Sequence, residues 1–258
     1  MSENGFFRYA GKLESLPCLV EDFVYDDINI ESGNKMISAG LNNLFGEVIW
    51  FYPSSTSAVV NKQVTYNYFD SSPQRPVWTV GTLARTMWRD SAVFGKPHAL
   101  EYDASTDTSF DVIGNTEGRT SYYEHETGTD QNRNGTISAI TANILSGDFD
   151  ITQRIVGNQM TGIADLRGDG ENIMKIRRFI PDFISQTGNT RVTLNLRNYP
   201  NNTASSSSLG PFTISSSTDK VDTRARARAI ALKVENTSTS QSWKLGTFRL
   251  DTQPDGRR

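Results

Sequence analysis

The sequence predicts an all-β fold, with partial β-propeller blades in its first part, a β-sandwich-like C-terminal region and few short helices. In several stretches apolar and polar residues alternate with the period of two that half-buried strands show. Turn-forming stretches such as "SSPQRP", "QTGN" and "NYPNN" separate these runs. Aromatic residues make up 10% of the chain, and Ser, Thr, Asn and Gly are frequent, which is typical of short strands joined by polar turns.

The front of the chain combines a short helix with a hairpin. "CLVEDFVYDDIN", residues 18–29, has the apolar spacing of about two helical turns, and residues 32–43 are a weaker candidate for another turn or two. "GEVIWFYPSS" at 46–55 reads as a strand, and the stretch from Lys62 to Trp88 reads as strand, turn and strand. This sequence of a strand, a longer loop and two strands rich in aromatics suggests a propeller blade.

The second part of the chain predicts longer strands. We expect the boundary near Gly128 to Gly135, which gives a propeller-blade-like region at 1–134 and a sandwich-like region at 135–258. The segment 154–171 contains four glycines without a clear period, so we interpret it as a protruding loop, with a short helix as the alternative. Beyond the hairpin, strands are predicted at 120–125, 136–145, 173–180, 190–198, 211–216, 223–235 and 243–252.

Composition excludes several classes of protein. The formal net charge is −3 over 258 residues, so net attraction does not hold this chain on nucleic acid. Cys18 is the only cysteine, which excludes an internal disulfide and a zinc cluster of several thiolates. The sequence contains no run of eighteen apolar residues and no export signal at its start, so we expect folding in a reducing cytosol and no membrane insertion by this chain.

An arginine occurs at every second position in "VDTRARARAIALKVE", residues 221–235. We call Arg224, Arg226 and Arg228 the arginine comb. Because side chains alternate across a strand, we expect the comb to lie on one face of a single strand. The apolar residues predicted to continue along that same face are Ile230, Leu232 and Val234.

The arginine comb has three possible uses. It could face DNA in a conduit, pair with carboxylates between subunits, or form a solvated strand face. A row of arginines that grips phosphates would slow the passage of DNA through a conduit. We therefore favour pairing between subunits, with Asp251 and Asp255 or the acids of a neighbouring copy as partners, because arginine–carboxylate contacts also fix orientation.

The two histidines do not predict a metal site. His125 and Glu126 in "YEHETG" would need a second histidine four residues after the first to match a metalloprotease helix, and that position is Thr129. His98, the other histidine, lies far away in the sequence, so a structural histidine near a strand end is the preferred interpretation.

Paired carboxylates offer an enzymatic alternative. Asp148 and Asp150 flank Phe149, and Asp169 and Glu171 also stand two apart. Two acids on either side of a glycosidic bond are the usual machinery of glycosidases, although those acids normally come from distant strands. The aromatic residues of the front part could form a sugar-binding platform, but their alternating positions favour a core. They are Trp50, Tyr52, Tyr66, Tyr68, Trp78 and Trp88.

Several segments resemble one known family in the same order along the chain. The chain from Gly46 onward is similar to the C-terminal half of tail nozzle proteins of short-tailed bacteriophages, which are also called tail tubular protein B or phage stabilisation proteins. The most specific piece is the terminal "RLDTQPDGRR". The other pieces are "WTVGTLARTMW", "YEHETG", "SGDFDI", "IRRFIPDF", "VTLNLRNYPNN", "GPFTI" and "WKLGTF".

This resemblance implies a structural virion protein of the phage tail, made in the host cytoplasm. Members of the family form a propeller-based ring, usually sixfold, below the head-to-tail adaptor. The implied partners are copies of the chain, that adaptor, a tail fibre or needle protein, and double-stranded DNA in passing. Neither a catalytic residue nor a cofactor is implied, and the alternative function is a tail-associated carbohydrate binder or depolymerase.

The chain departs from the family in two places. Family members are usually longer, so either a separate chain supplies the missing propeller blades, as a further partner, or this branch of the family has a reduced propeller. An open propeller leaves unpaired strand edges, which another chain or a neighbouring copy must cover. Ala227 stands between two arginines where relatives tend to have glycine.

Overall fold

The computed structural model describes residues 1–2, 5–29, 31, 36–90, 95–103, 119–133, 135–152, 154–157, 164–167, 170–199 and 207–256. In these residues the fold is all-β, as predicted, with small antiparallel sheets and the helix α1 (Glu21–Asp27). Residue contacts divide the chain into unit 1, formed by Met1–Thr127 and Gly157–Ala164, and unit 2, formed by Gly128–Val156 and Asp165–Arg258. The boundary that the sequence suggests, between 134 and 135, lies a few residues further along.

Unit 1 contains two antiparallel meanders whose strands pair in chain order. A four-stranded sheet has the order β3-β4-β5-β6, which is the arrangement of a propeller blade, and a three-stranded sheet has the order β7-β8-β9. These described strands do not close a propeller. The strands of the unit are β1 (Phe7–Tyr9), β2 (Leu13–Ser15), β3 (Ser38–Asn42), β4 (Glu47–Tyr52), β5 (Lys62–Ser72), β6 (Arg75–Gly81), β7 (Met87–Arg89), β8 (His98–Asp103) and β9 (Arg119–Glu124).

Strand β4 is covered on both faces. On one face Tyr52 packs in a core with Val24 of α1 and with Phe6, which lies just before β1. On the other face Phe51 packs in a second core, against which Trp88 of β7 lies. The apolar run "VIWFY" therefore belongs to a strand that packs against a core on each of its two faces, like an inner strand of a layered fold.

Unit 2 is a β-sandwich with smaller hairpins. A four-stranded sheet with the order β12-β20-β17-β18 and a three-stranded sheet with the order β19-β15-β22 pack on one another. The pairs β10-β11, β13-β14 and β16-β21 form separate hairpins or ribbons. The strands are β10 (Asp130–Arg133), β11 (Thr136–Ala139), β12 (Asn143–Leu145), β13 (Arg154–Gly157), β14 (Ala164–Arg167), β15 (Met174–Ile180), β16 (Phe183–Thr187), β17 (Thr190–Arg197), β18 (Ser207–Ile214), β19 (Val221–Ala227), β20 (Ala229–Glu235), β21 (Ser242–Leu245) and β22 (Arg249–Pro254).

The sandwich core is formed by alternating side chains of both sheets. Strand β17 buries every second residue, and its side chains meet those of β15 and β19 from the facing sheet. The sequence pattern predicted this alternation. The buried members are Met174, Ile176, Phe179, Val192, Leu194, Leu196, Ile214, Ala225, Ala227, Ile230 and Val234.

The predicted single strand at 223–235 is wrong, because the chain bends at Arg228 and passes from one sheet to the other. Strand β19 belongs to the three-stranded sheet and β20 to the four-stranded sheet. Corners of sandwiches are often made by a strand that switches sheets in this way. Consequently Arg224 and Arg226 are exposed while Ile230 and Val234, at positions of the same parity, are buried. These residues do not form one continuous face.

Four other sequence predictions need correction. The segment 136–145 forms two strands, β11 and β12, and the segment 243–252 lies across β21 and β22, because each crosses from one sheet to another. In the segment 154–171 the described residues include the paired strands β13 and β14, which the sequence did not predict, while residues 158–163 and 168–169 lie outside the described residues. Of the candidate helix at 32–43, Met36 is helical, residues 38–42 form β3, and residues 32–35 lie outside the described residues. The predicted helix at 18–29 and the hairpin β5-β6 are confirmed.

Candidate interaction surface

The three members of the arginine comb occupy two different environments. Arg224 and Arg226 project from the outer face of β19, because Ala225 and Ala227, which alternate with them, are buried in the sandwich core. Arg228, at the bend, donates hydrogen bonds from Nη1 to the backbone oxygens of Gly170 (3.1 Å) and Glu171 (2.6 Å). Arg228 thus fixes the corner of the sandwich to a neighbouring loop.

Both aspartates predicted as partners of the comb lie near the outer face. The Nε atom of Arg226 lies 2.5 Å from Oδ2 of Asp255, and Nη2 donates to the backbone oxygen of the same residue at 3.3 Å. Asp251 instead lies 3.5 Å from Nε of Arg178 on β15, and Asp222 lies 3.6 Å from the same atom. The chain therefore supplies acids to two of its own arginines on this face.

A group of cations lies beside the Arg226–Asp255 ion pair. In the register of the sheet Lys175 is opposite Arg226, and Arg177 follows on the same strand. Together with Arg224 they line an open pocket of about 420 Å³, whose remaining lining residues are Thr223 and Asp255. We call Lys175, Arg177, Arg224 and Arg226 the basic face.

Simple alternation accounts for Lys175 and Arg177 on the basic face, but it does not account for Arg178, the next residue of strand β15. Strict alternation in "MKIRRFI" would turn one of the two adjacent arginines inward. The register of β15 shifts between Ile176 and Arg178 with both of its neighbours, and the burial pattern changes phase there. As a result Arg177 is exposed and Arg178 is half-exposed, whereas Ile176 and Phe179 are buried. Two adjacent arginines in a strand were the one available signal of such a bulge.

The carboxylates of the enzymatic alternative hold the fold together where the structure describes them. Asp148 forms an ion pair with Arg197 of β17. Asp150 accepts hydrogen bonds at Oδ1 from the backbone and hydroxyl of Thr152, both at 2.6 Å, and at Oδ2 from the backbone nitrogen of Gly170 at 3.0 Å. Glu171 has the backbone contact to Arg228 given above, and Asp169 lies outside the described residues. No observation among these contacts favours a glycosidase.

His125 belongs to a buried polar cluster of unit 1. Its Nε2 atom accepts a hydrogen bond from Nε of Arg85 at 2.9 Å, and Nη1 of Arg85 lies 3.0 Å from Oε2 of Glu101. The Arg85 guanidinium also lies 4.0 Å above the ring of Tyr123. Burial, and next the charge of Arg85, lower the pKa of His125 to about 4. A neutral imidazole that accepts from arginine is a structural residue.

The other residues of the metal hypothesis lie in separate contacts. Glu126 has a φ of 59° in the turn after β9, and its Oε1 atom accepts a hydrogen bond from Asn42 at 3.2 Å. The His98 ring stacks on Tyr122, with 5.4 Å between the ring centroids. Among the described residues no group of three or more His, Cys, Asp or Glu side chains is placed to hold a metal ion.

The aromatic residues of the front part mostly build the core, as predicted. Trp78 packs against Phe6 (4.7 Å between centroids), Trp50 (5.9 Å) and Tyr66 (4.9 Å), and its indole nitrogen donates to the backbone oxygen of Pro17 at 2.9 Å. Tyr68, in contrast, is exposed at the end of the meander. These contacts leave no flat row of free rings on which a sugar would stack.

An uncovered apolar segment lies at the edge of the four-stranded sheet. Among the strands that the structure describes, β12 pairs only with β20, and all three of its residues are exposed. The exposed fractions are 61% for Ile137, 51% for Ile140, 48% for Ile144 and 59% for Leu145. Asn236 fixes this segment, since it donates to the backbone oxygen of Ile140 and accepts from the backbone nitrogen of Ala142.

The comparisons with known proteins add no family to these observations. In the part of the chain that the structure describes, no helix is long and apolar enough to cross a membrane. The chain matches no protein-family model, and no curated protein matches it either.

Proposed function

We propose that this chain is a structural subunit in the tail of a short-tailed bacteriophage, where copies assemble into a ring below the head-to-tail adaptor. The ring prolongs the channel through which DNA leaves the head and carries tail fibres or a needle. The resemblance to tail nozzle proteins supports this proposal, and several of the similar segments supply strands of the sandwich. These segments are "IRRFIPDF" in β15 and β16, "VTLNLRNYPNN" in β17, "GPFTI" in β18 and "RLDTQPDGRR" in β22.

The observation that carries the proposal is the unprotected edge at β12. Proteins usually guard an edge strand with a charge, a proline, a bulge or a covering loop. Strand β12 has the sequence Asn-Ile-Leu and is exposed along its whole length. With Ile137 and Ile140 it places four large apolar side chains in one exposed stretch, which is typical of a surface that another chain covers.

We assign a second copy of this chain as the partner that covers the exposed edge of β12. The four-stranded sheet also ends in β18 on its opposite side, so each copy offers two different edges. An interface between two different surfaces of identical chains is heterologous, and it closes into a ring when the rotation between copies permits. Pairing of the arginine comb between subunits, the use that the sequence favours, is the alternative that the double variant described below tests.

Assembly of the purified protein tests the proposal. We expect rings in negative-stain images and an oligomer by mass photometry. Ile144→Glu places a charge in the contact and lowers the oligomeric fraction at least about tenfold, because an unpaired charge is costly to bury. Ile184→Glu is the matched control: Ile184 is 66% exposed on β16, outside the β12 sheet, and its variant should assemble normally.

Two results would contradict the proposal. One is a wild-type protein that stays monomeric and forms no ring at the highest soluble concentration. The other is equal loss of assembly in both glutamate variants, since the effect would then come from lost solubility or stability. Circular dichroism of each variant verifies that the strands are retained.

A further inference from the structure

The basic face is positive in a chain that is negative as a whole. Four cations, Lys175, Arg177, Arg224 and Arg226, line its pocket with a single carboxylate, that of Asp255. The local balance is +3 from four positive and one negative side chain, whereas the formal net charge of the chain is −3. A local excess of this kind focuses a positive potential on one outer face of unit 2.

Three of these four cations form no ion pair with a carboxylate of the described residues. Among the residues described by the structure, no carboxylate lies within ion-pair distance of Lys175, Arg177 or Arg224; the acid in the pocket pairs with Arg226. Lys175 also stands opposite Arg226 in the sheet. Like charges opposite one another destabilise a sheet, so the arrangement has a cost that a bound anion would remove.

The sandwich core holds the backbone of these strands in place. Met174 and Ile176 of β15 and Ala225 and Ala227 of β19 are buried, and they alternate with the cations of the basic face. Asp255 additionally orients Arg226 through the side-chain ion pair and the hydrogen bond to its backbone oxygen. The backbone positions of the four cations are therefore fixed before any ligand binds, and the side chain of Arg226 is oriented as well.

The chemistry of the pocket favours a polyanion over a small ion or an acidic protein. Its cations are exposed, so salt and water screen the attraction to a single phosphate. None of the six lining residues is apolar, whereas the centre of a protein–protein interface is depleted in charge and rich in aromatic residues. Interfaces with nucleic acid are more polar and much more positive.

We infer that the basic face binds the phosphodiester backbone of nucleic acid. The arginine guanidinium groups and the lysine ammonium group contact successive phosphates, and the absence of stacking aromatics in the pocket lining makes the contact independent of base sequence. The site is a compact patch on β15 and β19, because Arg228 is engaged at the bend. This inference goes beyond the proposed function, since it applies to the chain in any state of assembly.

Fluorescence anisotropy with labelled double-stranded DNA tests the inference. With three uncompensated cations the logarithm of the binding constant should fall with a slope of about −2.7 against the logarithm of salt concentration. Binding should accordingly weaken about 40-fold between about 50 and about 200 mM salt. The double variant Arg177→Glu/Arg224→Glu should lose at least about tenfold in affinity at the lower salt concentration.

Matched controls separate a local site from net charge. Arg191 is exposed on β17 in the other sheet, so Arg191→Glu/Lys244→Glu changes the net charge equally and should bind DNA like the wild type. Asp255→Asn should strengthen binding, because it removes the one negative charge of the pocket. Equal losses in both double variants would overturn the inference.

The same variants distinguish DNA from a neighbouring subunit. We expect Arg177→Glu/Arg224→Glu to keep the oligomer size of the wild type by mass photometry. A double variant that loses its oligomer while the wild type binds no DNA at low salt would overturn the inference in favour of acids on a neighbouring copy. Polyglutamate that binds as tightly as DNA, with the same dependence on Arg177 and Arg224, would overturn it in favour of an acidic protein.

Discussion

The half-buried His125 of unit 1 predicts a specific loss of stability in mild acid. His125 is neutral in the folded protein, where its Nε2 atom accepts from Arg85 and its ring lies 4.6 Å from that of Trp88. Protonation removes this acceptor and places an imidazolium beside a guanidinium. Burial, and next Arg85, lower the pKa of the folded-state histidine from 6.5 to about 4. Between these two values the unfolded chain binds more protons, so the free energy of unfolding falls as the pH falls.

The size of this effect follows from proton linkage. The gap between 6.5 and about 4 corresponds to at most about 3 kcal/mol. Between about pH 7 and about pH 5 the linkage relation gives roughly 2 kcal/mol. Since the ring of His125 keeps some contact with solvent, we expect about 1 kcal/mol to be measured.

Urea denaturation at the two pH values measures this loss. Tryptophan fluorescence follows mainly unit 1, where Trp50, Trp78 and Trp88 lie, while circular dichroism follows the whole chain. The variant His125→Gln lacks the titrating ring and should lose about 1 kcal/mol less than the wild type on acidification. The chain has one other histidine, and His98→Gln should retain the wild-type difference. Identical pH dependence in the wild type and in His125→Gln would refute the reasoning.

Two further substitutions test packing and a turn. In Gly40→Ala the added Cβ would lie 2.3 Å from the indole ring of Trp88, so the variant should lose about 1–3 kcal/mol by urea denaturation, whereas Gly147→Ala, with no atom within 4 Å, should be neutral. Equal stabilities for these two variants would show that the indole does not cover the glycine. Asp150→Ala removes a charged acceptor of the Gly170 amide and should lower the thermal midpoint by an amount equivalent to about 1–3 kcal/mol. An unchanged midpoint would contradict this role.

Sequence alternation predicted the parts of the fold where a strand stays within one sheet. In the strand at 190–198 every second residue faces the same core along the whole element, and the hairpin from Lys62 pairs its two strands within one sheet. The long segment at 223–235 was wrongly taken as one strand, since residue types continue to alternate through Arg228 while the strand changes sheets. Local pattern carries no information on which of two sheets a strand joins.

The candidate surface was predicted only in part for a related reason. The arginine comb is visible in the sequence, and Asp255 was expected among its partners. Lys175 and Arg177 come from a strand that lies far earlier in the chain than the arginine comb, and only the pairing of β15 with β19 brings them to the pocket. Such a neighbourhood depends on long-range register, which one sequence does not reveal.

Because the chain bends at Arg228, the insertion or deletion of one residue near the bend would change which side chains face the core. Odd-numbered side chains point inward before the bend, at Ala225 and Ala227, and even-numbered ones after it, at Ile230 and Val234. Removal of a single alanine would turn guanidinium groups toward the apolar layer or isoleucine toward water. We therefore expect substitutions at exposed positions here to be better tolerated than the insertion or deletion of one residue, and a scan of single-residue insertions and deletions across 221–235 would measure that difference.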